Sequence, residues 1–355
     1  MLTNKQIEEI KEHLEKAQNP LFFYDNDADG LCSFLLLRRY LGRGKGVAVK
    51  SYPDLNAQYA KKAQELKADA VFVLDKPLIA KEFMDEIDKM QLPLVWIDHH
   101  LINNISWKEY SNLHIYNPTL NEGKYESNEP VTYLTYKITE RKEDLWLAVI
   151  GCIADNFMPP YLSDFEELWP DFLMKKEKIE SPFDIYYGTE IGKVARAFSF
   201  GLKDSITHVV QMQNFLISCK GPGDVFMELE GNKNFREKYN NIRKKYLDLL
   251  ERAKECRKDK LIFFDYAGDL SISADLANEL SYLYSDVYIA VAYKKGAISN
   301  VSLRGKKVRQ VLEKVLNQFS DGSGGGHENA VGARIKTEDL IKFKEVLEEE
   351  IRKNE

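Results

Sequence analysis

Short apolar runs alternate with longer helical stretches through the first hundred residues, and this alternation constrains the fold more than any other feature. Runs at 21–24, 47–52, 70–74 and 94–97 have the length and composition of buried strands, and 31–41, 57–67 and 79–90 read as helices between them. A further amphipathic helix is expected at 4–18. Strand-helix alternation implies an α/β domain on a largely parallel sheet, because each parallel pair needs a crossover that covers a sheet face. Ligands of such sheets gather beyond the carboxyl ends of the strands.

Acidic residues occupy those ends. The first run is followed by Asp25-Asn26-Asp27-Ala28-Asp29-Gly30, the third by Asp75 and the fourth by Asp98-His99-His100. Asp155 closes an apolar helical run at 145–154. Carboxylates crowded at one edge repel one another and lose hydration, which divalent cations relieve. The first run also resembles the start of an EF-hand loop. However, the twelfth position is Leu36 instead of a bidentate glutamate, and a strand precedes the loop where a calcium loop has a helix. Two divalent ions would offset most of the charge on Asp25, Asp27, Asp29, Asp75 and Asp155. Mixed carboxylate and imidazole ligation suits manganese better than calcium, with magnesium as the alternative. Paired divalent ions are a common apparatus for phosphate-ester hydrolysis.

Composition bounds the class. A chain of 355 residues suits two domains. With a net charge of −6 it is unsuited to coating nucleic acid non-specifically. No apolar run approaches the roughly 18–20 residues of a membrane span, so a cytoplasmic protein without membrane attachment is expected. Cys32, Cys152, Cys219 and Cys256 form no CxxC pair, which argues against a zinc site or a disulfide framework.

Beyond residue 200 come helical segments and a charged run, 234–260, that reads as a connecting helix. Strands are expected at 261–264, 287–292 and 298–303 in a smaller α/β domain. Gly324-Gly325-Gly326-His327 lies within that domain and lacks the GK[ST] of a P-loop. Its glycines would let backbone approach a phosphate or sugar, with His327 as a donor. Ser302 and Arg304 precede a basic cluster, Lys306-Lys307-Val308-Arg309.

Together the segments Asp25–Gly30, Asp75, Asp98-His99-His100, Asp155 and Gly324–Gly332 resemble the DHH phosphoesterase family with its DHHA1 domain, and within it the RecJ-like exonucleases, archaeal forms included. The resemblance implies a DHH catalytic domain at 1–200, a helical linker at 201–260 and a DHHA1 substrate-binding domain at 261–355. It implies that Asp27 and Asp25 hold one metal, that Asp29, His99 and Asp155 hold the other, and that Asp75 bridges them. Asp98 would orient its neighbours, and His100 would contact phosphate or assist proton transfer. Ser302, Arg304, Gly324, Gly325, Gly326 and His327 would bind substrate in the cleft between domains. Asp25 stands where many relatives carry histidine, and Lys76-Pro77 replaces the small residues expected after the bridging aspartate, narrowing the entrance. The implied activity is Mn²⁺-dependent exonucleolytic hydrolysis of single-stranded DNA or RNA in nucleic-acid repair. Family analogy adds a helicase or GINS-type partner. Two alternatives accompany this expectation: a nanoRNase or nucleotide bisphosphate phosphatase acting on short substrates, and a Cdc45-like scaffold without catalysis. A complete ligand set disfavours the scaffold.

Overall fold

The computed structural model describes residues 1–51, 54–102, 109–121, 129–174 and 178–353. The chain divides into two compact units, Met1–Tyr239 and Asn240–Glu355. The strands of the first are β1 (Pro20–Asp25), β2 (Lys45–Val49), β3 (Asp54–Leu55), β4 (Ala70–Leu74), β5 (Leu78–Ile79), β6 (Leu94–Ile97) and β7 (Leu113–Tyr116). Five of them form a wholly parallel sheet in the order β2-β1-β4-β6-β7, and β3 pairs with β5 separately. Residues of opposite parity pack on opposite faces. Leu21, Phe23, Val71, Val73, Leu94 and Trp96 share one core with the helix Lys81–Lys89. On the other face Phe22 stacks on Phe72 at 5.0 Å and Tyr24 on Phe34 at 5.2 Å, which packs the helix Ala28–Leu41 against the sheet. Each fully buried large side chain contributes roughly 1.5–3 kcal/mol of transfer free energy.

Register matters most for function. Tyr24 pairs with Leu74, Leu74 with Ile97, and Ile97 with Tyr116. The next residues, Asp25, Asp75, Asp98 and Asn117, therefore head four adjacent strands at the carboxyl edge. The run expected at 47–52 ends as a strand at Val49, and Tyr52 lies outside the described residues. The stretch 57–67 splits into a 3₁₀ turn, Ala57–Tyr59, and a short helix, Lys61–Glu65. The sequence pattern does not announce strand β7. It is an edge strand that is only partly buried, so it lacks the continuous apolar run of its neighbours.

Helices Val131–Thr139 and Leu145–Ala154 pack with Ala28–Leu41. Gly151 permits this crossing, since a Cβ there would lie 2.1 Å from Thr132 Oγ1. Helix Ile206–Ser218, within the stretch expected as a linker, belongs to the first unit. Gln213 donates to the Tyr24 hydroxyl, and Arg39 donates to the carbonyls of Ile217 and Cys219 at 2.7 Å each. The helix Lys233–Lys254 contains the boundary between the units, and the expected continuation to residue 260 instead turns into strand.

The second unit holds a mixed sheet of β8 (Arg257–Lys258), β9 (Leu261–Ala267), β10 (Tyr288–Lys295), β11 (Ile298–Arg304), β12 (Ser323–His327) and β13 (Ala330–Lys336), ordered β12-β13-β11-β10-β9-β8. Its core joins Val301, Leu303, Val331 and Ile335 to Leu312 and Phe343 from two helices, Val308–Leu316 and Leu340–Lys353. The parallel α/β unit followed by a smaller α/β unit is the architecture that the alternation implies. Among the described residues, no helix is long and apolar enough to cross a membrane.

Candidate metal centre

The first motif turns sharply out of β1. Asp27 adopts an extended conformation as N-cap of Ala28–Leu41, and its carboxylate accepts the Gly30 amide at 2.9 Å. This meets one of the unpaired donors at the helix start. Gly30 lies against the backbone of Asp25, where a Cβ would come 2.5 Å from the Asp25 carbonyl oxygen. Asp29, in the first helical turn, is buried. Its Oδ1 accepts the Thr132 amide at 2.7 Å and its Oδ2 the Val131 amide at 2.9 Å. The N-cap of that second helix is Pro130, which has no side-chain acceptor, so Asp29 caps it from a distant part of the chain. Each carboxylate oxygen keeps a further lone pair for a cation.

Asp75 emerges from β4 in the left-handed region, with φ 57°, and its amide donates to the Ile97 carbonyl at 3.0 Å. Such a conformation costs roughly 1 kcal/mol for a residue other than glycine. It aims the buried carboxylate at the imidazoles that follow β6. His99 Nε2 lies 3.5 Å from Asp75 Oδ1 and 3.9 Å from Asp155 Oδ2. Two sets offer ligand atoms within 4.8 Å of one another: Asp29, His99 and Asp155, and Asp75, His99 and His100.

Proton affinities record the crowding. Removal from bulk water, then repulsion from Asp25 and Asp29, pushes Asp27 up to about 7. Burial and then the surrounding carboxylates hold Asp75 and Asp155 well above the usual carboxylate range. Asp29 is raised by burial, opposed by His99 and by the amides it accepts. Asp27 and Asp155 keep open surface, so for these two the mutual repulsion is the firmer cause. A group of crowded carboxylates with raised proton affinities, beside two imidazoles, fits divalent cations such as Mn²⁺.

Asp98 is fully buried and arranges its neighbour. It accepts the His100 amide at 3.0 Å and faces His100 Nδ1 at 2.9 Å. Burial disfavours the charged ring, but the Asp98 hydrogen bond and nearby carboxylates outweigh it and raise the His100 pKa. Asn117 completes this arrangement, donating to the His100 carbonyl at 2.9 Å and to Asp98 Oδ2 at 3.3 Å. Asp25 is in different company, for the Lys76 ammonium sits 2.8 Å from its Oδ1.

In the second unit, Gly324, Gly325, Gly326 and His327 do not form a loop. They make up most of β12, an exposed edge strand paired with β13. Glycine carries no strand signal of its own, and pairing with β13 supplies the order. Gly325 faces Gly332, which faces Ser302, and His327 faces Ala330, which faces Arg304. Cβ atoms at Gly325 and Gly332 would meet nothing within 4 Å, so backbone is open on this part of the sheet. The Ser302 hydroxyl is 3.0 Å from that of Ser273, and Arg304 Nε donates to Asn278 Oδ1 at 2.6 Å.

The structure thus brings Asp27, Asp29, Asp75, His99, His100 and Asp155 together in the first unit, and Ser302, Arg304, the glycines and His327 in the second. Sequence reasoning missed Asn117, whose signal is its place just after β7, and the pairing of Lys76 with Asp25, which strand and helix patterns do not encode.

Residues 260–353 match the DHHA1 domain family. The fold of the whole chain is similar to that of RecJ from Thermus thermophilus in complex with Mn²⁺, with 13% identity and a TM-score of 0.65, covering 98% of this chain and 54% of that one. It is also similar to the DHH domain of a member of a family of ribosomal proteins, with 13% identity, a TM-score of 0.69 and coverage of 98% and 89%. An exopolyphosphatase-related protein from Bacteroides fragilis matches with 16% identity, a TM-score of 0.52 and coverage of 98% and 97%. This chain spans about half the length of the Thermus protein. No curated protein sequence matches it. The class is therefore defined by fold and matched domain. The chain carries a DHHA1 domain and has the fold of RecJ-like DHH proteins.

Proposed function

We propose that this protein is a divalent-metal-dependent phosphodiesterase, a RecJ-like exonuclease that removes nucleotides from an end of single-stranded DNA or RNA. The observation that carries this reading is the convergence of Asp29, Asp75, His99 and Asp155 at one sheet edge with donor atoms a few ångströms apart. The Mn²⁺ complex of the Thermus RecJ, which shares the fold, supports the choice of ion. Two divalent ions bound there would ease deprotonation of water and offset charge on the phosphate.

The chain's own residues do the rest. Asp29, His99 and Asp155, with Asp27 and Asp75, would hold the ions. His100, fixed through Nδ1 by Asp98, presents Nε2 to a phosphate oxygen or to the leaving oxygen as a proton donor, a role that its raised pKa favours. Arg304 and Ser302 supply phosphate contacts, and the open backbone at Gly325 and Gly332 admits the sugar-phosphate chain.

The test is Mn²⁺-dependent digestion of 5′- and 3′-labelled single strands, DNA and RNA, alongside dinucleotides. Wild type should shorten strands of ~30 nucleotides from one end faster than it cleaves dinucleotides, because contacts accumulate with length. Asp27→Ala and His99→Ala should abolish cleavage. Undiminished cleavage by both variants would refute the site, and preference for dinucleotides would redirect the reading to short-oligonucleotide hydrolysis.

A further inference from the structure

Lys76 follows Asp75 and is entirely buried, with 0% of its side chain exposed. Contacts with described residues help to fix it. Its carbonyl accepts the Trp96 indole N–H at 2.9 Å, and its ammonium donates to Asp25 Oδ1 and to the Ser51 carbonyl, each at 2.8 Å. The left-handed turn at Asp75 lets consecutive residues serve different partners, the carboxylate approaching His99 and the lysine reaching across to the end of β1. A buried ammonium persists only where an opposite charge offsets its lost hydration. Here the first carboxylate of the motif provides that charge.

We propose that Lys76 is a resident cation of the metal centre: it holds Asp25 in an ion pair and keeps that carboxylate out of the metal ligand set. Asp27, Asp29, Asp75, His99 and Asp155 then bind the divalent ions. The inference rests on the metal-centre reading above and deepens it by assigning Lys76 as a positioning residue. An ion on the Asp25 carboxylate would stand a few ångströms from a buried positive charge, where water screens the repulsion poorly. The charge balance agrees. Lys76 reduces five formal negative charges to four, which two divalent ions cancel.

Calorimetric titration of Mn²⁺ into the full chain, with the Mn²⁺ EPR spectrum recorded on the same samples, tests this without reference to turnover. Loss of a true ligand, Asp155→Asn, should weaken binding by more than about ten-fold, whereas Asp25→Asn should stay within about three-fold of wild type with an unchanged EPR line shape. Lys76→Met frees the Asp25 carboxylate and should tighten binding about ten-fold with an altered line shape, and Lys76→Met/Asp25→Asn should return both to wild type. A merely structural ion pair would leave the affinity of Lys76→Met unmoved, and that result overturns the proposal. So does an Asp25→Asn variant as impaired as Asp155→Asn, which decides the matter alone if Lys76→Met does not fold. Wild type that binds no Mn²⁺ would defeat the functional reading together with this inference. Mn²⁺ binding by wild type that depends on Asp25 defeats the inference only.

Discussion

The carboxyl edge of the first sheet and the glycine-bearing face of the second meet charge in opposite ways. At the first, burial and then mutual repulsion raise the proton affinities of Asp27, Asp75 and Asp155, and the protein alone leaves the edge electrostatically unfinished. At the second, Arg304 is held by Asn278 and by the Leu303 carbonyl, Ser302 by Ser273, and the glycines by the strand ladder. One region gathers carboxylates whose ionisation small cations would ease. The other is already in order and offers donors and bare backbone to something large. The proposed phosphodiesterase activity would divide along such lines, with chemistry where charge is in excess and grip where it is balanced.

The contrast can be broken most decisively at Asp155. Asp155→Ala should lower Mn²⁺-dependent cleavage more than about 100-fold, beyond the usual cost of an outer-shell change, while leaving single-strand binding within about two-fold in a gel-shift titration. Arg304→Ala should do the converse, weakening single-strand binding about ten-fold and flattening its salt dependence, with cleavage at saturating substrate little altered. Equal losses of binding and cleavage in both variants would remove the distinction.

Asn117→Ala sharpens the first half. It should cost about ten-fold in cleavage through disorder at Asp98 and His100, with Mn²⁺ affinity unchanged by calorimetry.

Stability against pH separates the regions further. Asp27 and its neighbours have folded pKa values above their unfolded ones, so the folded metal-free protein binds the extra protons. That contribution is present below about pH 4 and is lost as pH rises through about 7. The melting temperature of the metal-free protein should therefore fall by a few degrees across that window, and Mn²⁺ at pH 8 should restore it. The smallest expected effect is at Gly332. Gly332→Ala should change stability by less than about 0.5 kcal/mol, since its Cβ has open space, yet reduce strand binding measurably.

Asp25, Asp75 and Asp98 were legible because a parallel sheet collects ligands where its strands end, and strand ends show in sequence as acid after an apolar run. The conformation of Asp75 was not, because left-handed backbone at a non-glycine residue reflects tertiary pairing with Ile97. Nor was the double service of Asp29, since an amide at Val131 leaves no mark in the sequence around residue 29. Lys76 invited only a steric reading. Burial of an ammonium depends on the opposite charge that the fold delivers, and here that charge lies 51 residues away in the chain. Gly324–His327 was not legible as a strand because strand signals reside in side chains that glycine lacks.

The grip of Asp29 on the amides of Val131 and Thr132 also sets an order of events. A nascent chain that has reached only β6 holds most of the acidic residues but neither the helix that Asp29 caps nor Asp155. Under the proposed function, cation capture would therefore belong late in the assembly of the first unit, after its sheet has formed. An ion that enters at that stage would clasp segments far apart in the chain and work as the final fastener of the unit.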